Sequence, residues 1–332
     1  MIEVKNLTKK FGGFLAIDDL SFTVEDNQIV GLLGPNGAGK STTMNLITGL
    51  IAPTKGKILV DGIDVDKYPV KIKEKIGYMP ENIPLYGNLT VREFLTFMAE
   101  LRKVPKDEIS KRMEKLIDDL NLGKVQRRLI KNLSKGYKQR ISLAGTLIGN
   151  PKIIILDEPM VGLDPEKISD MRDLIISLKK DHTIIFSSHI LSEVSQICDK
   201  LIIINDGKLV KEDTAEKIEK SENKNDSIYI SVQDDESKIN NLKKSIKAIK
   251  EINHIKDNAD GTKSYEIEIE KDANIQKELM RELTNNGIVL FELKNDKEDL
   301  EKAFIKIIKD SKQKNKIESK AQEKPKKKGG KK

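Results

Sequence analysis

Eight consecutive residues, Gly34-Pro35-Asn36-Gly37-Ala38-Gly39-Lys40-Ser41, fit the pattern G-x-x-x-x-G-K-[ST]. Glycines at 34, 37 and 39 let backbone N–H groups curl around phosphate oxygens without a Cβ in the way. Lys40 is then set to reach terminal phosphates, and Ser41 to offer its hydroxyl to Mg²⁺. Thr42 continues into a helix-like run whose N-terminus favours anions. A glycine-rich turn that binds nothing is the alternative; Lys40 and Ser41 together, between a strand-like and a helix-like run, weigh against it.

Four further places could carry chemistry. Ile153-Ile154-Ile155-Leu156 runs straight into Asp157-Glu158, as in a buried parallel strand with carboxylates at its C-terminal end. Asp157 suits Mg²⁺ held through water, and Glu158 suits orienting or activating an attacking water; two exposed acids in a turn are the plainer reading. Leu133-Ser134-Lys135-Gly136-Tyr137 opens a helix expected from about Tyr137 to Leu147. Ser134 and Gly136 there make either a second anion site or an ordinary N-cap. His189 follows the strand expected over Thr183–Phe186, where it can meet a γ-phosphate. Phe11, before Gly12-Gly13, reads equally as a core residue or as an aromatic that stacks on a nucleobase.

The elements that must position these groups alternate as in an α/β fold. Ile2 to Val24 reads as antiparallel strands, and Gly56 to Val65 as a hairpin turning through Asp61-Gly62. Asn88 to Gly149 is a helical block, begun by a capping box at Thr90 and Glu93. Pro165 to Lys180 is a helix, and Lys200 to Val210 a final β unit. Ser221 to Ser227 has no core former and reads as a linker. Beyond it, strands at 227–232, 264–270 and 288–293 alternate with helix stripes, among them Ile239, Leu242, Ile246 and Ile249. That order fits a small α+β domain of ferredoxin-like type with no catalytic cluster.

Composition narrows the class. The 332 residues allow about two domains. No apolar run is long enough for a membrane span, and Met1-Ile2-Glu3-Val4 reads as a strand start, not a secretion signal. One cysteine fits a reducing compartment, and three histidines supply no zinc spacing. The net charge of +7 resides in the tail from Asp310, where ten lysines face three acids. Such a tail is expected to be disordered. Its Lys326-Lys327-Lys328 run can lie on anionic lipid, contact nucleic acid or simply be solvated.

Over roughly the first 220 residues the motifs together resemble the ATP-binding cassette (ABC) family of nucleotide-binding domains. The resemblance implies a P-loop NTPase core with an antiparallel β subdomain and an inserted helical subdomain. It implies ATP and Mg²⁺ as ligands, ATP hydrolysis, and Phe11 as the adenine-stacking aromatic. His189 becomes the switch histidine, Asp164 a loop aspartate that contacts the opposite subunit, and Ser134 and Gly136 the groups that meet the partner's γ-phosphate. Glu81 takes the place of a usual glutamine; a carboxylate there can bind Mg²⁺ but repels the γ-phosphate. Lys135 and Tyr137 replace a usual glycine and glutamine in the signature. Such substitutions resemble those of ABC-2-type exporters and gliding-motility-type transporters.

The resemblance further implies a homodimer with two ATPs at its interface, working on separate transmembrane permease subunits that dock near Tyr78–Glu100. The chain would then sit peripherally on the inner face of the cell membrane. The expected division is an ATP-binding domain over 1–222, an accessory domain over 226–309 and the tail over 310–332. The competing class is a soluble cassette ATPase acting on ribosomes or nucleic acid, whose members usually carry two cassettes or a coiled coil.

Overall fold

The computed structural model describes residues 1–82, 84–188, 191–222, 226–233, 236–270, 273–296 and 300–322. In chain order the first part comprises β1 (Ile2–Phe11), β2 (Phe14–Val24), β3 (Ile29–Leu33), α1 (Lys40–Ile47), β4 (Lys55–Val60), β5 (Ile63–Asp64), α2 (Pro69–Lys75) and β6 (Ile76–Met79). The helical block holds α3 (Val91–Leu101), α4 (Lys106–Asp119) and α5 (Lys135–Leu147). Then come β7 (Ile153–Asp157), α6 (Pro165–Leu178), β8 (Thr183–Ser188), α7 (Leu191–Ser195), β9 (Lys200–Asn205), β10 (Lys208–Asp213) and α8 (Ala215–Glu222). The last part is β11 (Asp226–Gln233), α9 (Glu236–Ser245), β12 (Ile249–Asp257), β13 (Lys263–Ile269), α10 (Gln276–Asn285), β14 (Val289–Asp296) and α11 (Leu300–Gln322).

The chain divides into two compact units, one formed by Met1–Ala215 with Ile308–Lys332 and the other by Glu216–Ile307. In the first, six strands lie in the order β10-β9-β3-β8-β7-β6, parallel from β9 to β6. Every residue of β3, β7 and β8 is buried, as their unbroken apolar runs require of strands covered on both faces. Parallel register brings Leu33 beside Ser188 and Asp157 beside Ser187, so the strand C-termini meet along one edge. That edge is where ligands bind in open α/β sheets. A separate antiparallel sheet, β2-β1-β4-β5, holds Phe11 at the β1–β2 turn. The helical block opens as the sequence dictates. Thr90 Oγ1 accepts from Glu93 N–H, and the Glu93 carboxylate accepts from Thr90 N–H at 2.7 Å.

The second unit is βαββαβ with strand order β12-β13-β11-β14, every neighbouring pair antiparallel. This is the split βαβ arrangement of ferredoxin-like domains. Its core joins Ile228, Ile230, Ile239, Leu242, Tyr265, Ile267 and Leu279.

Four expectations change. The signature helix starts at Lys135, two residues earlier than Tyr137. Ile246 and Ile249 do not extend α9: Ile249 begins β12, an edge strand whose outer residues are mostly exposed and so lack clean alternation. The stretch read as a linker is helical through Glu222 and β-paired from Asp226, with 223–225 outside the described residues. The tail expected from Asp310 is helical through Gln322, and Lys326–Lys328 lie outside the described residues.

Candidate active site

The phosphate loop leaves β3 at Leu33 and enters α1 at Lys40. Gly39, at the N-cap, has φ +107°, and a Cβ there would stand 3.0 Å from the Ala16 carbonyl oxygen, so only glycine fits the turn. No side chain caps α1, which leaves its first N–H groups directed at the loop. Pro35 and Ala38 close the loop through an Ala38 N–H bond to Pro35 O at 3.1 Å. Asn36 and Gly37 are exposed at its tip. The buried Lys40 ammonium donates to Gly34 O at 2.8 Å, and it lies 3.8 Å from Glu158 Oε1. Ser41 is exposed and Thr42 half-buried in the first turn of α1.

Asp157 ends β7 and is 3% exposed. Ser187 Oγ donates to Asp157 Oδ1 at 2.6 Å and accepts Glu158 N–H at 2.9 Å. Glu158 takes φ +50°, the left-handed region that a non-glycine residue adopts at some cost. The turn brings its carboxylate back toward Lys40. On the neighbouring strand Tyr78 donates to Asn45 Oδ1 at 3.3 Å, tying β6 to α1. Burial first, and then the negative charge of Asp157, push the Tyr78 hydroxyl up to about 12. Ser187 and Tyr78 therefore belong to the site, although no motif marks them; their only signal is their position at strand ends.

A second cluster forms elsewhere. Ser134, Gly136, Tyr137 and Asp164 line one cavity of about 680 Å³, which no residue of the phosphate loop lines. Ser134 precedes α5 without capping it through its side chain, so its hydroxyl is not committed as an ordinary N-cap. Asp164 does cap α6, accepting Lys167 N–H at 3.0 Å. Glu81 is exposed just after β6, and lines another cavity with Glu158. Phe11 is 48% exposed, with Lys9 Nζ 4.9 Å from its ring centroid, so it is no core residue. His189 lies outside the described residues.

The donor set fits Mg²⁺. The Ser41 hydroxyl and the Asp157 carboxylate are hard oxygen donors beside the loop, and among the described residues no group of three or more His, Cys, Asp or Glu forms a metal cage. Mg²⁺ suits such a sparse set, because it keeps waters and takes most other ligands from substrate phosphates.

A family model described as "ABC transporter" matches residues 17–161. The lipopolysaccharide export system ATP-binding protein LptB of Haemophilus influenzae is 34% identical over 222 residues, covering 66% of this chain and 92% of that protein. Among solved structures, a dimeric ATP-binding cassette in a post-hydrolysis state, bound to ADP and Pi, is similar with a TM-score of 0.59 and 27% identity. It covers 64% of this chain and 98% of that one. The structure of cbiO1 from Clostridium perfringens, part of the ABC transporter complex cbiONQ, is similar with a TM-score of 0.61 and 30% identity, covering 65% and 89%.

Proposed function

The chain belongs to the ABC transporter family and is an ATPase, and from that premise we propose that two copies of it clasp two ATPs and drive transport through separate transmembrane subunits. One observation carries this reading. The groups suited to phosphate and water, Lys40, Asp157 and Glu158, sit together. Ser134, Gly136 and Asp164 line a cavity that the phosphate loop does not reach. A second copy, head to tail, brings the two halves onto one ATP.

In this reading the loop N–H groups and Lys40 hold the β- and γ-phosphates, and Phe11 stacks on adenine. Lys40 must exchange its bond to Gly34 O for phosphate oxygen, which frees it from the loop. Ser41 and Asp157 would hold Mg²⁺, with Glu81 a further oxygen donor, and the ion would supply charge neutralisation at the phosphates. Glu158 orients the attacking water, His189 contacts the γ-phosphate, and the partner's Ser134 and Gly136 complete the γ-phosphate shell. ATP touches both protomers only in the closed pair, so binding favours closure and hydrolysis favours opening.

The permease reading is supported by a cleft of about 470 Å³ beside β6, lined by Leu50, Val70, Tyr78, Met98 and Leu101. Leu50, Val70 and Leu101 are more than half exposed. The cleft shares Tyr78 and Met98 with the stretch Tyr78–Glu100, and it suits an amphipathic helix from a transmembrane subunit. Among the described residues no helix is long and apolar enough to cross a membrane. Glu81, Lys135 and Tyr137 support a place near the ABC-2-type and gliding-motility-type exporters. The domain expected over about 226–309 is accessory to the ATP-binding domain over about 1–222. The chain would then lie on the inner membrane face as a peripheral homodimer. Co-sedimentation tests this: the chain should pellet with membranes only when a permease is co-expressed. Pelleting with ribosomes instead would contradict it.

A further inference from the structure

The turn between β9 and β10 is packed against the phosphate loop. Gly207 N–H donates to Ala38 O at 3.0 Å, and a Cβ on Gly34 would stand 2.3 Å from Ile204 O. Two residues of the loop therefore rest on the backbone of one turn, residues 204–207. The same turn is tied to β2. Asp18 N–H donates to Gly207 O at 2.9 Å, and Lys208 Nζ lies 3.4 Å from Asp18 Oδ2. Asp206 and Gly207 take φ +51° and +76°, so the turn has a left-handed aspartate that its surroundings must hold in place.

Asn205 ends β9 and is 1% exposed. A buried amide needs partners for its N–H groups. Asn205 Nδ2 donates to Asp206 Oδ2 at 3.2 Å and to Ser311 Oγ at 3.3 Å. Ser311 comes from α11, which from Ile308 onward belongs to the same compact unit as the phosphate loop. Ile308, three residues earlier and on the same side of the helix, is buried, while Lys309 and Asp310 are exposed. One face of α11 is thus set into the unit, and its hydroxyl meets the end of β9.

We propose that Ser311 is a positioning residue of the nucleotide site: through Asn205 it lets α11 brace the 204–207 turn, and the turn holds the phosphate loop in its binding shape. The proposal rests on the reading of residues 34–41 as the loop that takes the phosphates. A loop that is already ordered binds without the cost of ordering it, so loosening the brace weakens affinity. The chemical step is affected less, because Asp157 and Glu158 stand at the end of β7, with β3 and β8 between it and β9.

Equilibrium binding of MgATP and of inorganic triphosphate to the full chain, with turnover at saturating ATP beside it, tests this. Lys40→Ala must abolish binding of both ligands; retained binding would overturn the phosphate-loop reading, and the brace with it. Ser311→Ala is expected to weaken both ligands about fivefold, the scale of one lost hydrogen bond, and to leave kcat within about twofold. Ser311→Thr keeps the hydroxyl and should bind as wild type does. Adding Ser311→Ala to Asn205→Ala should cost nothing further, as coupled neighbours require. Should Asn205→Ala not fold, Asn205→Leu serves in the same cycle. Lys312→Ala, at an exposed neighbour, should leave affinity unchanged. Wild-type affinity in Ser311→Ala, a loss for ATP but not for triphosphate, losses that multiply in the double variant, or a lower melting temperature with affinity intact would each overturn the proposal.

Discussion

Ser187 joins the two acids of the site: its hydroxyl donates to Asp157 Oδ1 at 2.6 Å while accepting the N–H of Glu158 at 2.9 Å. Both bonds are shielded, since Ser187 is fully buried. Parallel register makes this possible by pairing Asp157 with Ser187 across β7 and β8.

Ser187→Ala should therefore leave the fold intact and loosen the acids. Loss of one supporting partner of a metal-binding carboxylate typically costs about 10–100-fold in metal affinity or activity. A titration of ATPase rate against Mg²⁺ is expected to shift to higher Mg²⁺ by that order. An unchanged titration would remove Ser187 from the site.

Phe11→Ala should weaken ATP binding by about 1–3 kcal/mol, the scale of a base stacked on an aromatic side chain. Phe11→Tyr should bind normally. Inorganic triphosphate should bind both variants as it binds wild type, because it has no base to stack. Thermal melting should hardly move, since the ring is half exposed.

Tyr78 gives a pH dependence. Its hydroxyl is pushed up to about 12 in the folded chain, by burial and then by Asp157, against about 10 in an unfolded one. A raised folded value means that the neutral hydroxyl contributes stability in full below pH 10. That contribution is lost as pH rises toward 12. Denaturant melts of wild type and Tyr78→Phe should differ at pH 8 by about 0.5–1.5 kcal/mol, the net worth of one hydrogen bond. The gap should shrink above pH 10. A gap constant to pH 11.5 would contradict the burial argument.

The exposed cleft should matter for docking alone. Leu101→Glu places a charge on a side chain that is 60% exposed. ATP turnover of the isolated chain should stay within twofold, surface changes usually costing less than about 0.5 kcal/mol. Co-purification with a co-expressed permease should be lost. Retained co-purification would move the docking surface elsewhere.

Much of this was legible in the residues. The phosphate loop, the Asp157-Glu158 strand end and the Thr90–Glu93 capping box are local patterns, and local chemistry fixes each of them. Their company was legible only in part. Nothing about Ser187 says it will reach Asp157 thirty residues away, because that contact comes from strand order and register. Phe11 was ambiguous because a hairpin end can face core or solvent; its exposure decides against core. Ile246 and Ile249 mimicked a helical stripe, because a three-residue step is common to a helix and to a turn into an edge strand. Lys135 read only as a replacement for the usual signature glycine. Its position over Gly162 depends on how α5 packs on a distant loop, which no spacing encodes.

In the proposed dimer one molecule completes another's site. Glu158→Gln should still bind ATP but not release it, so sedimentation velocity of that variant with MgATP should give a stable dimer. Adding Ser134→Arg, in the cavity that the phosphate loop does not line, should return it to monomer with ATP still bound. A Glu158→Gln chain that binds ATP yet stays monomeric, or a dimer indifferent to Ser134→Arg, would contradict the account.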